Sequence, residues 1–148
     1  MITEIEGIKV GHWTDSNAQT GCTVILFPQE TVASGEIRGG APATRDFALL
    51  EPTRLVDQIN AVVLSGGSAF GLSACSGVME FLEEAKIGFS TSAGKVPIVV
   101  GLSLFDLGSG SSTVRPGHQE GKEAASVAST IAPLGRVGAG AGATVSKW

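Results

Sequence analysis

Ala61-Val62-Val63-Leu64-Ser65-Gly66-Gly67-Ser68-Ala69-Phe70-Gly71-Leu72 reads as a short apolar run that enters a glycine turn and leaves it as a helix. The run is of strand length and stops at Ser-Gly-Gly, which predicts a buried strand over residues 61–64. Beyond the turn, Leu72, Cys75, Met79 and Leu82 recur at helical spacing, and Ser68 is the natural cap of that helix, which should end near Lys86-Ile87-Gly88. A junction of this kind points backbone N–H groups at a helix N-terminus, where they can hold an anion or a developing oxyanion. Gly66, Gly67 and Ser68 are therefore candidate substrate-binding residues.

Outward from this junction the chain is a series of short elements punctuated by glycine and proline. Ile8-Lys9-Val10 and residues 22–27 are expected as strands, separated by a polar turn over residues 14–20. A weaker strand is expected over residues 31–37, ending in the turn Arg38-Gly39-Gly40-Ala41-Pro42. Residues 96–100 and 102–107 look extended. Residues 117–131 offer a second amphipathic helix through Ala124, Val127, Ala128 and Ile131. The segment Gly108-Ser109-Gly110-Ser111-Ser112-Thr113 reads as a solvated turn, with an anion-binding nest as the alternative.

With 148 residues, the chain is long enough for a single domain over residues 1–148 with its own core, and short for two. Its 21 glycines have no collagen-like period, so their uses are local turns and close packing. A net charge of −4 without any lysine or arginine run argues against nucleic acid and against an anionic membrane surface as partners. Cys22 and Cys75 have neither metal-ligand nor C-x-x-C spacing and are expected as reduced, buried thiols. The N-terminal residues lack the regions of a signal peptide and no apolar run reaches membrane-spanning length, so the expected location is the cytoplasm. No metal site is suggested by His12 and His118, which read as packing or surface residues. The cofactor expectation is none: the glycines of residues 66–71 lack G-x-G-x-x-G order, and no P-loop occurs.

Five blocks carry a resemblance. They are Val10-Gly11-His12-Trp13 with Thr20-Gly21-Cys22-Thr23-Val24; Arg38-Gly39-Gly40-Ala41-Pro42-Ala43-Thr44-Arg45; Leu64-Ser65-Gly66-Gly67-Ser68-Ala69-Phe70-Gly71-Leu72; Val96-Pro97-Ile98-Val99 with Leu104-Phe105-Asp106-Leu107; and Gly138-Ala139-Gly140-Ala141-Gly142-Ala143. Each is a weak glycine-rich motif alone. In this order and spacing the chain resembles the N-terminal part of the L-aminopeptidase/D-esterase/amidase family of self-processing N-terminal-nucleophile hydrolases.

The resemblance implies an α/β fold, a four-layer α/β/β/α sandwich that this chain would fill incompletely, and a homo-oligomer. It implies a precursor that cuts itself ahead of a serine or threonine, whose freed amine can serve as the base for its own hydroxyl. In the family this nucleophile follows the glycine-rich block, beyond residue 148, so the isolated chain is expected to be inactive without the downstream segment or second chain. The Gly67-Ser68, Gly108-Ser109 and Gly110-Ser111 bonds are the Gly-Ser bonds present, and Ser68 is better read as a cap than as a nucleophile. Lys147 matches a catalytic lysine of the family's nylon-oligomer hydrolases, where it would help deprotonate the nucleophile or steady negative charge; the alternative is an exposed strand-end lysine. Phe105 falls where some relatives place an oxyanion-hole tyrosine and has no hydroxyl to give, which leaves it a candidate pocket residue. Arg38 and Arg45 can pair with Asp46, Glu51 or Asp57 as readily as with a substrate carboxylate. The implied function is hydrolysis of N-terminal residues from peptides, or of related amides and esters. Two alternatives are a small-molecule or nucleotide-binding module using the turn at Gly66 to Gly71, and a non-catalytic structural fragment.

Overall fold

The computed structural model describes residues 1–145, and its centre is the strand expected from the sequence, β4 (Ala61–Ser65). Around it lies a five-stranded sheet in the order β1-β2-β4-β7-β3, built with β1 (Lys9–Asp15), β2 (Thr20–Leu26), β3 (Ala43–Arg45) and β7 (Val99–Ser103). β4 and β7 run parallel, with Ala61 opposite Val99 and Ser65 opposite Ser103, whereas β1, β2 and β3 join antiparallel. β5 (Phe89–Thr91) and β6 (Gly94–Val96) form a separate exposed hairpin. The chain between the parallel strands carries helix α1 (Ala74–Glu84), and α2 (His118–Ser126) packs beside it. This is a mixed α/β fold.

The period-two alternation of the strands separates two apolar faces. Cys22, Val24, Ala61, Val63 and Val99 face the helices and meet Ala74, Cys75, Val78, Leu82, Ala124 and Ala125 in a buried core. Val62, Val100 and Leu102 face the other way, toward Leu50, Ile59 and Ile98, in a smaller cluster. The two helices approach closely because Gly77 and Gly121 lie at their crossing: a Cβ at Gly77 would stand 1.8 Å from the carbonyl oxygen of His118, and one at Gly121 2.0 Å from that of Ala74. Outside this contact, Glu80 accepts from Lys122 Nζ at 2.5 Å and from His118 Nε2 at 2.8 Å. The Lys122 ammonium holds the Glu80 carboxyl below its ordinary range, although an exposed ion pair of this kind contributes little to stability.

Leu82 is 2 % exposed at the middle of the helix–sheet core. Leu82→Ala is expected to cost about 3 kcal/mol in chemical denaturation, from lost burial and the cavity left behind; a loss below about 0.5 kcal/mol would place Leu82 outside the core.

Several expected elements are corrected. Residues 31–37 form no strand: Val32 makes an isolated bridge to Gln58 and is 71 % exposed, because β3, further on, takes the sheet edge beside β7. Strand β1 continues to Asp15 and β2 begins at Thr20, so the turn between them is shorter than residues 14–20. The extended segment 96–100 is broken at Pro97 between β6 and β7, since proline cannot donate to a ladder. β7 then ends at Ser103, and residues 104–110 turn back. Helix α2 stops at Ser126, leaving Val127 56 % and Ile131 85 % exposed. Beyond it the backbone is claimed by the sheet: Ser129 exchanges two hydrogen bonds with Val10, at 2.9 and 3.0 Å. Cys22 and Cys75 are free and buried as expected, and burial pushes their thiols up to about 12 and about 11. Among the described residues no helix is long and apolar enough to cross a membrane.

Candidate functional site

The carboxyl ends of β4 and β7 lie side by side, which in open α/β sheets is the edge where loops build binding sites. Backbone bonds lock the two loops that leave this edge. Leu104 N–H donates to the Ser65 carbonyl at 2.8 Å and Ser68 N–H to the Leu104 carbonyl at 2.9 Å, while the Ser103 hydroxyl lies 2.5 Å from the Ser68 carbonyl oxygen.

Asp106 sits at the middle of this arrangement and is 3 % exposed. Its Oδ1 accepts Gly67 N–H at 2.7 Å and its Oδ2 accepts the hydroxyl of buried Thr20 at 2.7 Å. Burying a carboxylate is costly unless such bonds replace its water. Asp106 therefore clamps the glycine turn after β4 to the start of β2.

This arrangement changes the reading of the glycine turn. The amides of Gly66, Gly67 and Ser68 all donate to the protein itself, to Gly21 O at 2.8 Å, to Asp106 and to Leu104 O. These three N–H groups are thus not an open anion cradle, and the buried anion that the turn holds is Asp106. Ser68 is not a helix cap either. It has φ +56°, opens a 3-10 stretch over Ser68–Ser73, and makes no capping side-chain bond; α1 begins only at Ala74. The reason is tertiary, since its N–H is taken by Leu104, just after β7, and its C=O by Ser103, the last residue of β7.

Gly67 has φ +80°, and a Cβ there would lie 3.1 Å from Arg115 Cβ. Gly67→Val is expected to destabilise the chain by roughly 1–3 kcal/mol, since a β-branched residue is strained in the left-handed region. An unchanged melting temperature would show that the turn tolerates another backbone conformation.

The glycine-rich segment reaches the same edge. Gly138 N–H donates to Thr14 Oγ1 at 2.7 Å and Ala139 N–H to Thr23 Oγ1 at 3.1 Å, which fastens the 3-10 turn Gly138–Gly140 to β1 and β2. Four residues on, Ser109 Oγ donates to the Gly142 carbonyl at 3.1 Å, and a Cβ at Gly142 would stand 2.8 Å from Asp106 Cβ. The chain thus passes directly beside the buried carboxylate, which only glycine permits at that distance. Lys147 lies outside the described residues.

His12 ties the same strands together through Nδ1, 2.9 Å from Thr23 Oγ1, and burial lowers its pKa below the ordinary imidazole value. Among the described residues no second titratable group stands beside it in a catalytic geometry. Arg38 pairs with Glu36 at 2.8 Å, and Arg45 donates to Ser76 Oγ at 2.7 Å with Asp46 3.6 Å away. Phe105 is 56 % exposed and follows Leu104, whose carbonyl holds Ser68, so the edge brings Gly66, Gly67, Ser68 and Phe105 together. Asp106 and Thr20 were not singled out by sequence reasoning. The signal available was an acidic residue closing the apolar run that starts at Val99, a position where a carboxylate needs partners.

An uncharacterized aminopeptidase of Mycobacterium tuberculosis (strain H37Rv) is 43 % identical over 147 residues, which cover 94 % of this chain and 43 % of that protein. A 6-aminohexanoate-oligomer endohydrolase of Paenarthrobacter ureafaciens is 28 % identical over 145 residues, 97 % of this chain and 38 % of that one. The fold is similar to a crystal structure of a Pyrococcus horikoshii protein, with a TM-score of 0.67, 24 % identity and coverage of 97 % of this chain and 44 % of that one. It is likewise similar to a Burkholderia β-aminopeptidase, with a TM-score of 0.68, 20 % identity and coverage of 95 % and 42 %. The chain spans less than half the length of these relatives. The model of peptidase family S58 matches residues 1–148 from end to end, and the chain belongs to that family.

Proposed function

We propose that this chain is the amino-terminal portion of a self-processing hydrolase that removes N-terminal residues from peptides or cleaves related amides and esters. The observation that carries this reading is the family match over the whole chain, together with relatives named as aminopeptidases and an oligomer endohydrolase. The geometry supports it: loops after two parallel strands and the glycine-rich segment converge on one edge, where Asp106 holds them rigid. On this reading the nucleophilic serine or threonine comes from chain beyond residue 148, and Lys147, next to the segment pinned beside Asp106, assists it. Gly66, Gly67, Ser68 and Phe105 then line the substrate side, the glycines through shape rather than through free amides. A second sheet packed on the Val62, Val100 and Leu102 face would complete a four-layer sandwich. A cytoplasmic homo-oligomer belongs to the same proposal.

The experiment compares residues 1–148 with the complete protein on aminoacyl anilides and short amide oligomers. The isolated chain is expected to show no turnover, and the complete protein is expected to yield a new N-terminal serine or threonine by mass spectrometry and to turn over substrate. Hydrolysis by residues 1–148 alone that is abolished by Ser68→Ala would locate the nucleophile at Ser68 and overturn this reading.

A further inference from the structure

Beside the glycine turn stands Arg115, which has no acidic partner among the described residues. The guanidinium carbon of Arg115 lies 3.9 Å from the centroid of the Phe70 ring, and its Cβ packs against the Gly67 turn. Arg38, Arg45 and Arg54 each pair with a carboxylate, and Arg136 donates to the Ala141 carbonyl at 3.3 Å, whereas among the described residues the guanidinium of Arg115 meets only the Phe70 ring. Phe70 is 61 % exposed and stands two residues beyond Ser68, which is bonded to the residue before Phe105. The stack uses one face of the guanidinium and leaves its N–H fork at the edge of the plane. In a chain of net charge −4, an uncompensated guanidinium held over the exposed Phe70 ring favours a ligand that brings its own negative charge.

We propose that Arg115 is a specificity-determining residue that receives the free carboxylate of the substrate on the leaving-group side. The ligand class is then short peptides and amino-acid oligomers that end in a free carboxylate, in preference to the same compounds capped as amides or esters. An enzyme that releases N-terminal residues keeps the substrate amine on one side of the scissile bond. In a short substrate the carboxylate falls on the other side of that bond, and the Arg115 fork is assigned to it. A guanidinium suits this task because it pairs with a carboxylate through two parallel hydrogen bonds and is charged at every working pH. The inference rests on the hydrolase reading above.

The test measures kcat/KM of the complete protein on a dipeptide and on its C-terminal amide. The free acid is expected to be preferred by about tenfold, the scale of one partly exposed charge-assisted contact. Arg115→Met, which keeps the aliphatic packing on Phe70, is expected to bring the ratio to within about twofold of one, through a raised KM for the acid. Arg115→Lys should retain part of the preference. Thermal melts confirm that each variant is folded, and if Arg115→Met is not, Arg115→Gln is judged by the same ratio. Equal rates on acid and amide in the unaltered protein, or a preference that survives in Arg115→Met, overturn the inference and leave the hydrolase reading standing. A complete protein that cleaves neither compound overturns both.

Discussion

Asp106→Ala is expected to destabilise the chain by roughly 3–6 kcal/mol, the sum of two charge-assisted hydrogen bonds whose donors remain buried when the acceptor is lost. Gly67 N–H and the Thr20 hydroxyl both end on this carboxylate at 2.7 Å, and Asp106 is 3 % exposed, so water cannot take its place without opening the edge. Asp106→Asn should recover about half of the loss, because the amide oxygen can still accept Gly67 N–H and the threonine hydroxyl can turn to accept from the amide nitrogen. Chemical denaturation of both variants checks the order. A loss below about 1 kcal/mol in Asp106→Ala would mean that the turn is held by its backbone bonds to Gly21 and Leu104 alone.

Lys147→Ala in the complete protein is expected to slow self-cleavage or substrate turnover by at least about a hundredfold, the scale for losing a positioned acid or base. Lys147 follows the glycine-rich segment, and on the proposed reading it takes the role of the catalytic lysine that the family resemblance implies. Gly142, five residues before it, lies against Asp106 at the candidate site. A partly desolvated lysine ammonium can release its proton and act on a nucleophile, whereas a surface lysine cannot. Lys147→Arg should rescue little, since guanidinium keeps the charge but does not give up its proton. Mass spectrometry of processing and single-turnover rates provide the readout. Near-normal values for Lys147→Ala would reduce this chain to a scaffold for chemistry elsewhere.

What could be read from the sequence was what local chemistry decides. The apolar run before Ser65-Gly66-Gly67 is strand β4, Cys75, Met79 and Leu82 lie on the helix that follows, and Leu82 is buried where its spacing placed it. The glycine blocks also pointed to the family, and several of their glycines, Gly21, Gly71 and Gly142 among them, leave no room for a Cβ. Tertiary structure alone decided the state of the turn. Ser68 has the composition of a cap, yet its N–H and C=O are taken by residues 104 and 103, and its backbone becomes left-handed instead. Asp106 and its partners are separated by 39 residues to Gly67 and 86 to Thr20, so no window of sequence contains both ends of the clamp. A periodic pattern records which face of an element avoids water. A buried carboxylate records which distant donors the fold brings to it, and that is settled only when the strands are in register.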